Sequence, residues 1–224
     1  MIEISNLSAS YGHHTVFYDV SVTFNTEKII GILGSNGSGK TTFFNSLYRF
    51  LGNYGGDFEG ELLYNGNKLT RTDIAYLMQD FYFYPYITGR EYISLIKAEN
   101  SDDPIFKSDN IFEIPLDDMI ETYSEGMKKK LALSGVIKLN RDIYLFDEPY
   151  SGLDLEGVHI LNRLIKKLKE NGKTVLIASH ILDAIKNISD QFYFIHENSI
   201  SKINNIEQFD YLKVLDKKLD EKLS

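Results

Sequence analysis

Nine residues, "GSNGSGKTT" from Gly34 to Thr42, restrict this 224-residue chain more than any other stretch. They satisfy G-x-x-x-x-G-K-[ST] and follow "KIIGILG" (Lys28–Gly34), a short apolar run of the kind that forms a buried central strand. Glycines at this spacing let backbone N–H groups converge on phosphate oxygens at the positive end of the next helix. Lys40 adds a mobile point charge for the β- and γ-phosphates, and the Thr41 hydroxyl can complete a magnesium shell. Gly34, Ser35, Asn36, Gly37, Ser38, Gly39, Lys40, Thr41 and Thr42 are therefore candidate ligands of a nucleoside triphosphate.

The remaining pattern agrees with such a core. Ile2 and Ile4 alternate, as do Val20, Val22 and Phe24, which predicts strands near the N-terminus. The helix after the glycine loop is expected from Gly39 to about Phe50, stopping near Gly52. "ELLYNGNKL" (Glu61–Leu69) reads as a hairpin turning at Asn65-Gly66, and "IAYLMQ" (Ile74–Gln79) as a strand. Thr88 and Glu91 form a capping box that opens a helix over about Gly89–Ala98. Polar residues from Glu99 to Glu113 read mostly as loop.

After Ser124, the positions of Met127, Leu131 and Val136 fit a helical face with Lys128–Lys130 turned outward. "DIYLF" (Asp142–Phe146) and "TVLIAS" (Thr174–Ser179) are buried strands, the second followed by a short helix. Between them, Leu155–Glu170 is an amphipathic helix ended by Asn171-Gly172. "QFYFIHENSISKI" predicts a final hairpin at Glu197-Asn198, and the tail from 204 to 224 a charged surface helix. Buried strands alternating with helices indicate a parallel α/β core with antiparallel additions at each end.

"IYLFDEP" (Ile143–Pro149) supplies a second half of a site. Its apolar residues deliver Asp147 at the carboxyl end of a strand, where open α/β sheets bind ligands. An acidic residue there can hold magnesium through water, and Glu148 beside it can orient or deprotonate an attacking water. The chain is expected to bind and hydrolyse a nucleoside triphosphate.

In order along the chain, Tyr11, "GSNGSGKTT", Gln79, "YSEGM" (Tyr123–Met127), "IYLFDEP", "SGLD" (Ser151–Asp154) and His180 resemble the ATP-binding subunit of an ABC transporter. The resemblance runs to about Lys202 and implies a single P-loop NTPase domain, α/β in class. Its parts would be an ATP-binding core with a β subdomain (1–78 and 140–203), a short helical signature subdomain (80–139) and a C-terminal tail (204–224). It further implies that Tyr11 stacks on adenine, that Gln79 reaches magnesium and the water, and that His180 bridges the γ-phosphate and Glu148. The family signature is usually Leu-Ser-Gly-Gly-Gln; here Ser124 and Gly126 keep a hydroxyl and an exposed backbone N–H, while Glu125 replaces a glycine. Ser124 also suits a plain helix cap. Ser151, Gly152, Leu153 and Asp154 would form the D-loop of a dimer interface. Catalytic work would fall to Glu148, His180, Lys40 and Gln79, and magnesium to Thr41, Gln79 and Asp147.

The implied cofactors are ATP and magnesium. The implied partners are a second ATP-binding subunit, in a homodimer or heterodimer, and a separate transmembrane permease. Aromatic residues among "FYFYPYITGREY" (Phe81–Tyr92) suit docking of that permease. The segment from Gln79 to Ser124 is short for the family's helical subdomain, which suggests an abbreviated docking surface. The "SEGM" variant leans toward export. No nucleic acid is expected, because a net charge of −8 opposes phosphate-backbone binding. The absence of cysteine rules out thiol and zinc-thiolate chemistry. "MIEISNL" has no signal-peptide pattern, and no apolar run approaches the ~20 residues that cross a bilayer. A cytoplasmic protein held at the inner membrane face by its permease is expected. The alternative is a soluble relative acting on DNA or ribosomes, for which no coiled coil or second nucleotide domain is present. A GTP switch lacks its guanine-reading Asn-Lys-x-Asp.

Overall fold

The computed structural model describes residues 1–48, 56–98, 108 and 110–209. In chain order the strands are β1 (Ile2–Tyr11), β2 (His14–Phe24), β3 (Ile29–Leu33), β4 (Gly56–Tyr64), β5 (Asn67–Lys68), β6 (Ile74–Leu77), β7 (Ile143–Asp147), β8 (Thr174–Ser179), β9 (Gln191–His196) and β10 (Ser199–Ile203). The helices are α1 (Lys40–Leu47), α2 (Gly89–Ala98), α3 (Glu125–Lys138), α4 (Leu155–Glu170) and α5 (Leu182–Lys186). One sheet is antiparallel, in the order β2-β1-β4-β5; the other runs β10-β9-β3-β8-β7-β6. In the second, β9, β3, β8, β7 and β6 are parallel and only β10 is reversed.

The unbroken apolar runs of β3, β7 and β8 follow from burial on both faces. Ile30, Ile32, Leu145 and Leu176 join one core with α1 and the antiparallel sheet, while Ile29, Leu33, Phe146 and Ile177 join another with α3 and α4. Under the glycine loop the first core is aromatic: Phe43 of α1 meets Phe17 and Phe24 edge to face at 6.2 and 6.0 Å. Such edge-to-face pairs add about 0.5–1.5 kcal/mol each beyond burial.

Alternation along β1 is interrupted once. A register shift between Ile4 and Leu7, with Asn6 at φ 52, moves Leu7 and Ala9 onto the same buried face as Ile2 and Ile4. Tyr11 follows Leu7 and Ala9 at period two, so this bulge sets the face to which Tyr11 belongs.

Several boundaries differ from expectation. β6 ends at Leu77, leaving Gln79 two residues beyond the ladder. β4 begins at Gly56, because Tyr11 and Ser10 of β1 pair with Gly56 and Asp57 despite weak local propensity. The expected end of the first helix falls among 49–55, much of the expected 99–113 loop among 99–107 and 109, and most of the tail at 210–224, all outside the described residues. Lys128–Lys130 are not a solvated face: Lys128 and Lys130 are half-covered and Lys129 is buried. The helical period explains it, since Lys129, Ala132, Leu133 and Val136 share one stripe at i, i+3, i+4 and i+7. Among the described residues no helix is long and apolar enough to cross a membrane.

Candidate active site

Three neighbouring parallel strands deliver the chemistry to one end of the sheet. β3 releases the chain into the Gly34–Thr42 loop, β7 ends at Asp147 opposite Ala178, and β8 ends at Ser179 just before His180. The loop's last glycine, Gly39, caps α1 at φ 102, and a Cβ there would stand 2.7 Å from Val16 and 3.0 Å from Phe17. Only glycine fits both that backbone and that space.

Lys40 is buried and donates its ammonium hydrogens to the carbonyls of Gly34 (2.8 Å) and Ser35 (3.2 Å), with Glu148 Oε1 at 3.6 Å. Burial lowers its pKa, and the Glu148 and Asp147 charges oppose that shift. Thr41 Oγ1 donates to Asp147 Oδ2 at 2.6 Å. Asp147 is fully buried, which pushes its carboxyl pKa up against the pull of the Thr41 hydrogen bond. Its second oxygen, Oδ1, has no hydrogen-bond partner among the described residues, and neither does Ser38 Oγ.

Glu148 is held in the left-handed region at φ 45, where a non-glycine residue is strained. Its N–H donates to Ala178 O at 3.0 Å, fixing the turn after β7. The carboxylate swings back over the sheet end, and Oε1 accepts the His180 backbone N–H at 3.0 Å and lies 2.8 Å from His180 Nδ1.

A cavity of about 500 Å³ joins these groups, lined by Tyr11, His14, Val16, Asn36, Gly37, Gly39, Lys40, Thr41, Thr42, Gln79, Glu148, Ser151 and His180. The lining brings Tyr11 and Val16 together with the charged Lys40 and Glu148, the mixture that a base and its phosphates require. His14 and Val16 are site residues that the motifs miss. Their signal lies in the hairpin: Tyr11 pairs with His14, and Val16 follows at period two. Asp147 lies beneath the cavity rather than on its wall.

The signature residues do not line this cavity. Ser124 caps α3, its Oγ accepting the Met127 N–H at 3.2 Å. Glu125 is 84% exposed and turned to Lys128, 2.9 Å away. Gly126 lies so close to the D-loop that a Cβ would stand 2.9 Å from Gly152 O. Beside it, Lys130 Nζ donates to Asp154 Oδ2 at 2.9 Å, while Asp154 Oδ1 caps α4 through Gly157 N–H at 2.8 Å. Signature and D-loop are thus a single packed unit, with Ser124 and Glu125 exposed.

The donor set fits magnesium. Thr41 hydroxyl, Asp147 carboxylate and Gln79 amide are hard oxygen donors, and Asp147 Oδ1 is unpartnered beneath the loop. Phosphate oxygens and waters would complete the shell.

A family model described as ABC transporter matches residues 17–151, more than half of the chain. The arginine transport ATP-binding protein ArtM of Bacillus subtilis is 29% identical, the match covering 93% of each chain. The lantibiotic transport ATP-binding protein SrtF of Streptococcus pyogenes is 26% identical over 89% of each. Among solved structures, an ATP-binding cassette in a dimeric post-hydrolysis state bound to ADP and Pi superimposes with a TM-score of 0.75, at 21% identity, over 92% of this chain and 100% of that one. The likeness extends the P-loop NTPase fold to this chain. With its glycine loop, its Asp147–Glu148 pair and the family match in agreement, the chain belongs to the ABC transporter family, as one of its ATP-binding, ATP-hydrolysing subunits.

Proposed function

We propose that two such subunits associate head to tail, each ATP held between the glycine loop of one and Ser124–Gly126 of the other, to drive a separate membrane-spanning permease. The observation that carries this reading is the position of the α3 N-terminus. It is exposed and capped, it stands off its own chain's cavity, and it is joined to the D-loop through Gly126 and Lys130. A helix N-terminus with free donors is suited to the γ-phosphate of a nucleotide held by a partner. The solved cassette is named as a dimer, which supports the association of two subunits.

In this reading Lys40 and the loop N–H groups hold the phosphates, and Tyr11 stacks on adenine. Thr41, Asp147 and Gln79 would hold magnesium, which would supply positive charge to offset that developing on the phosphates. Glu148 takes up the proton of the attacking water, with His180 fixing the carboxylate and facing the γ-phosphate. Ser151–Asp154 carry the state of one site to the other. The chain is read as one domain, its core and β subdomain at 1–78 and 140–203 and its signature subdomain at 80–139.

The permease contact is assigned to the patch around Tyr82, Tyr84, Tyr86 and Met119, all exposed. That contact would hold the subunit at the cytoplasmic face of the membrane. The "SEGM" signature favours export, and a lantibiotic transport protein stands among the relatives beside an arginine transport protein. The test is the oligomeric state of Glu148→Gln with magnesium and ATP, measured by sedimentation. A nucleotide-dependent dimer lost on adding Ser124→Ala is expected; a monomer at saturating ATP would overturn the reading.

A further inference from the structure

The segment after Gln79 alternates like a strand without a neighbour. Phe81 and Phe83 are half-buried, while Tyr82 and Tyr84 are 87% and 72% exposed. The inward rings are linked edge to face, Phe81 to Phe83 at 5.6 Å and Phe83 to Tyr92 of α2 at 5.0 Å. Tyr92 is buried enough to push its phenol pKa up to about 12, and its hydroxyl lies against Gly135 of α3. The other end of this row returns to the same helix. Lys129, 5% exposed, holds its ammonium 5.5 Å from the centre of the Phe81 ring.

A buried ammonium is costly unless something offsets its lost hydration. Here the ring face does so, together with three carboxylates whose fields reach it: Asp147, Glu148 and Asp80. Burial lowers the Lys129 pKa and those carboxylates oppose it. Lys40 lies 3.6 Å from Glu148 Oε1, and the charges of the same carboxylate pair also act on Lys129 of α3.

We propose that Lys129 is a positioning residue of the ATPase: its ammonium clamps the Gln79–Phe83 segment onto α3 and keeps that segment in step with Asp147 and Glu148. The proposal rests on the reading that this carboxylate pair serves ATP hydrolysis. Displacing the loop would uncover the ammonium, so the clamp favours a discrete closed position over a range of loosened ones.

The chain has no tryptophan, so Tyr82→Trp provides a single emission reporter on the outer face of the segment. Magnesium and ATP are expected to shift that emission. Adding Lys129→Met, which fills the space without the charge, should abolish the shift and lower kcat about tenfold, with KM for ATP within about twofold. Lys129→Arg stacks on a ring equally well and should retain both. Phe81→Leu, which removes the ring and keeps the lysine, should reproduce the Lys129→Met loss. A Lys129→Met protein that keeps the shift and kcat overturns the clamp. Glu148→Gln separates the two readings: full turnover there overturns the site assignment, whereas an unaltered Lys129→Met protein overturns the clamp alone.

Discussion

One carboxylate oxygen, Glu148 Oε1, serves two groups of His180: it accepts the backbone N–H at 3.0 Å and lies 2.8 Å from ring Nδ1. The strand end thus orients the carboxylate even without the imidazole. Glu148→Gln is expected to lower turnover about 10²–10⁴-fold while ATP affinity stays within about twofold. His180→Ala should cost less, about tenfold to 10²-fold, because the backbone bond persists. Steady-state phosphate release and equilibrium binding of a fluorescent ATP analogue measure the two effects.

The signature substitutions separate capping from catalysis. Ser124→Ala removes the α3 cap, costing about 1 kcal/mol of stability, and should depress ATPase strongly. Glu125→Gly should change the rate little, since that carboxylate is already turned along the helix toward Lys128. Gly126→Ala pushes a methyl group to 2.9 Å from Gly152 O and should separate signature from D-loop, with loss of turnover. Comparing ATPase rates with melting temperatures distinguishes the three.

Asp147 is suited to a cation, not to stability. Its raised pKa means that the folded state holds a proton more tightly than the unfolded one, so its contribution is present at acid pH and lost as pH rises through the raised value. Asp147→Asn should therefore leave the nucleotide-free protein at least as stable at neutral pH. The same change, or chelation of magnesium with EDTA, should abolish turnover. A lowered melting temperature for Asp147→Asn without nucleotide would contradict this.

Asp190 has the opposite sign. Burial works against its charge, but Lys169 and the Ile29 N–H, 2.8 Å from Oδ2, hold its pKa below the usual carboxylate range. Its contribution is present above the ordinary aspartate pKa and lost as pH falls through the depressed one. Asp190→Ala should cost about 1.5–3 kcal/mol at neutral pH, with the gap from wild type closing in acid. Urea unfolding at several pH values gives the profile.

Much of this was legible because the chemistry is local. Phosphate-binding loops, a strand-terminal carboxylate pair and a histidine at the next strand end are each written in a few consecutive residues. What escaped was set by tertiary contact. Lys129 sits in a run of three lysines that reads as solvated until the helix is packed against the loop bearing Phe81. His14 and Val16 enter the cavity only through the register of a hairpin, and Tyr11 faces it only because of a bulge five residues earlier. The approach of Gly126 to Gly152 joins segments that no local pattern connects. Gln79 is expected at a strand end and lies two residues past it, free of the ladder.

The place of β6 carries a last consequence. Among the described residues it is the outer strand of the sheet, paired only with β7, yet all four of its residues are buried. An apolar outer strand with open backbone donors and acceptors invites another chain to add to it. The helix that carries the signature, α3, packs against β6. Helix α3 therefore covers apolar surface of β6 as well as carrying the signature. Its excision should yield insoluble protein, where point changes within it yield soluble but slow enzyme.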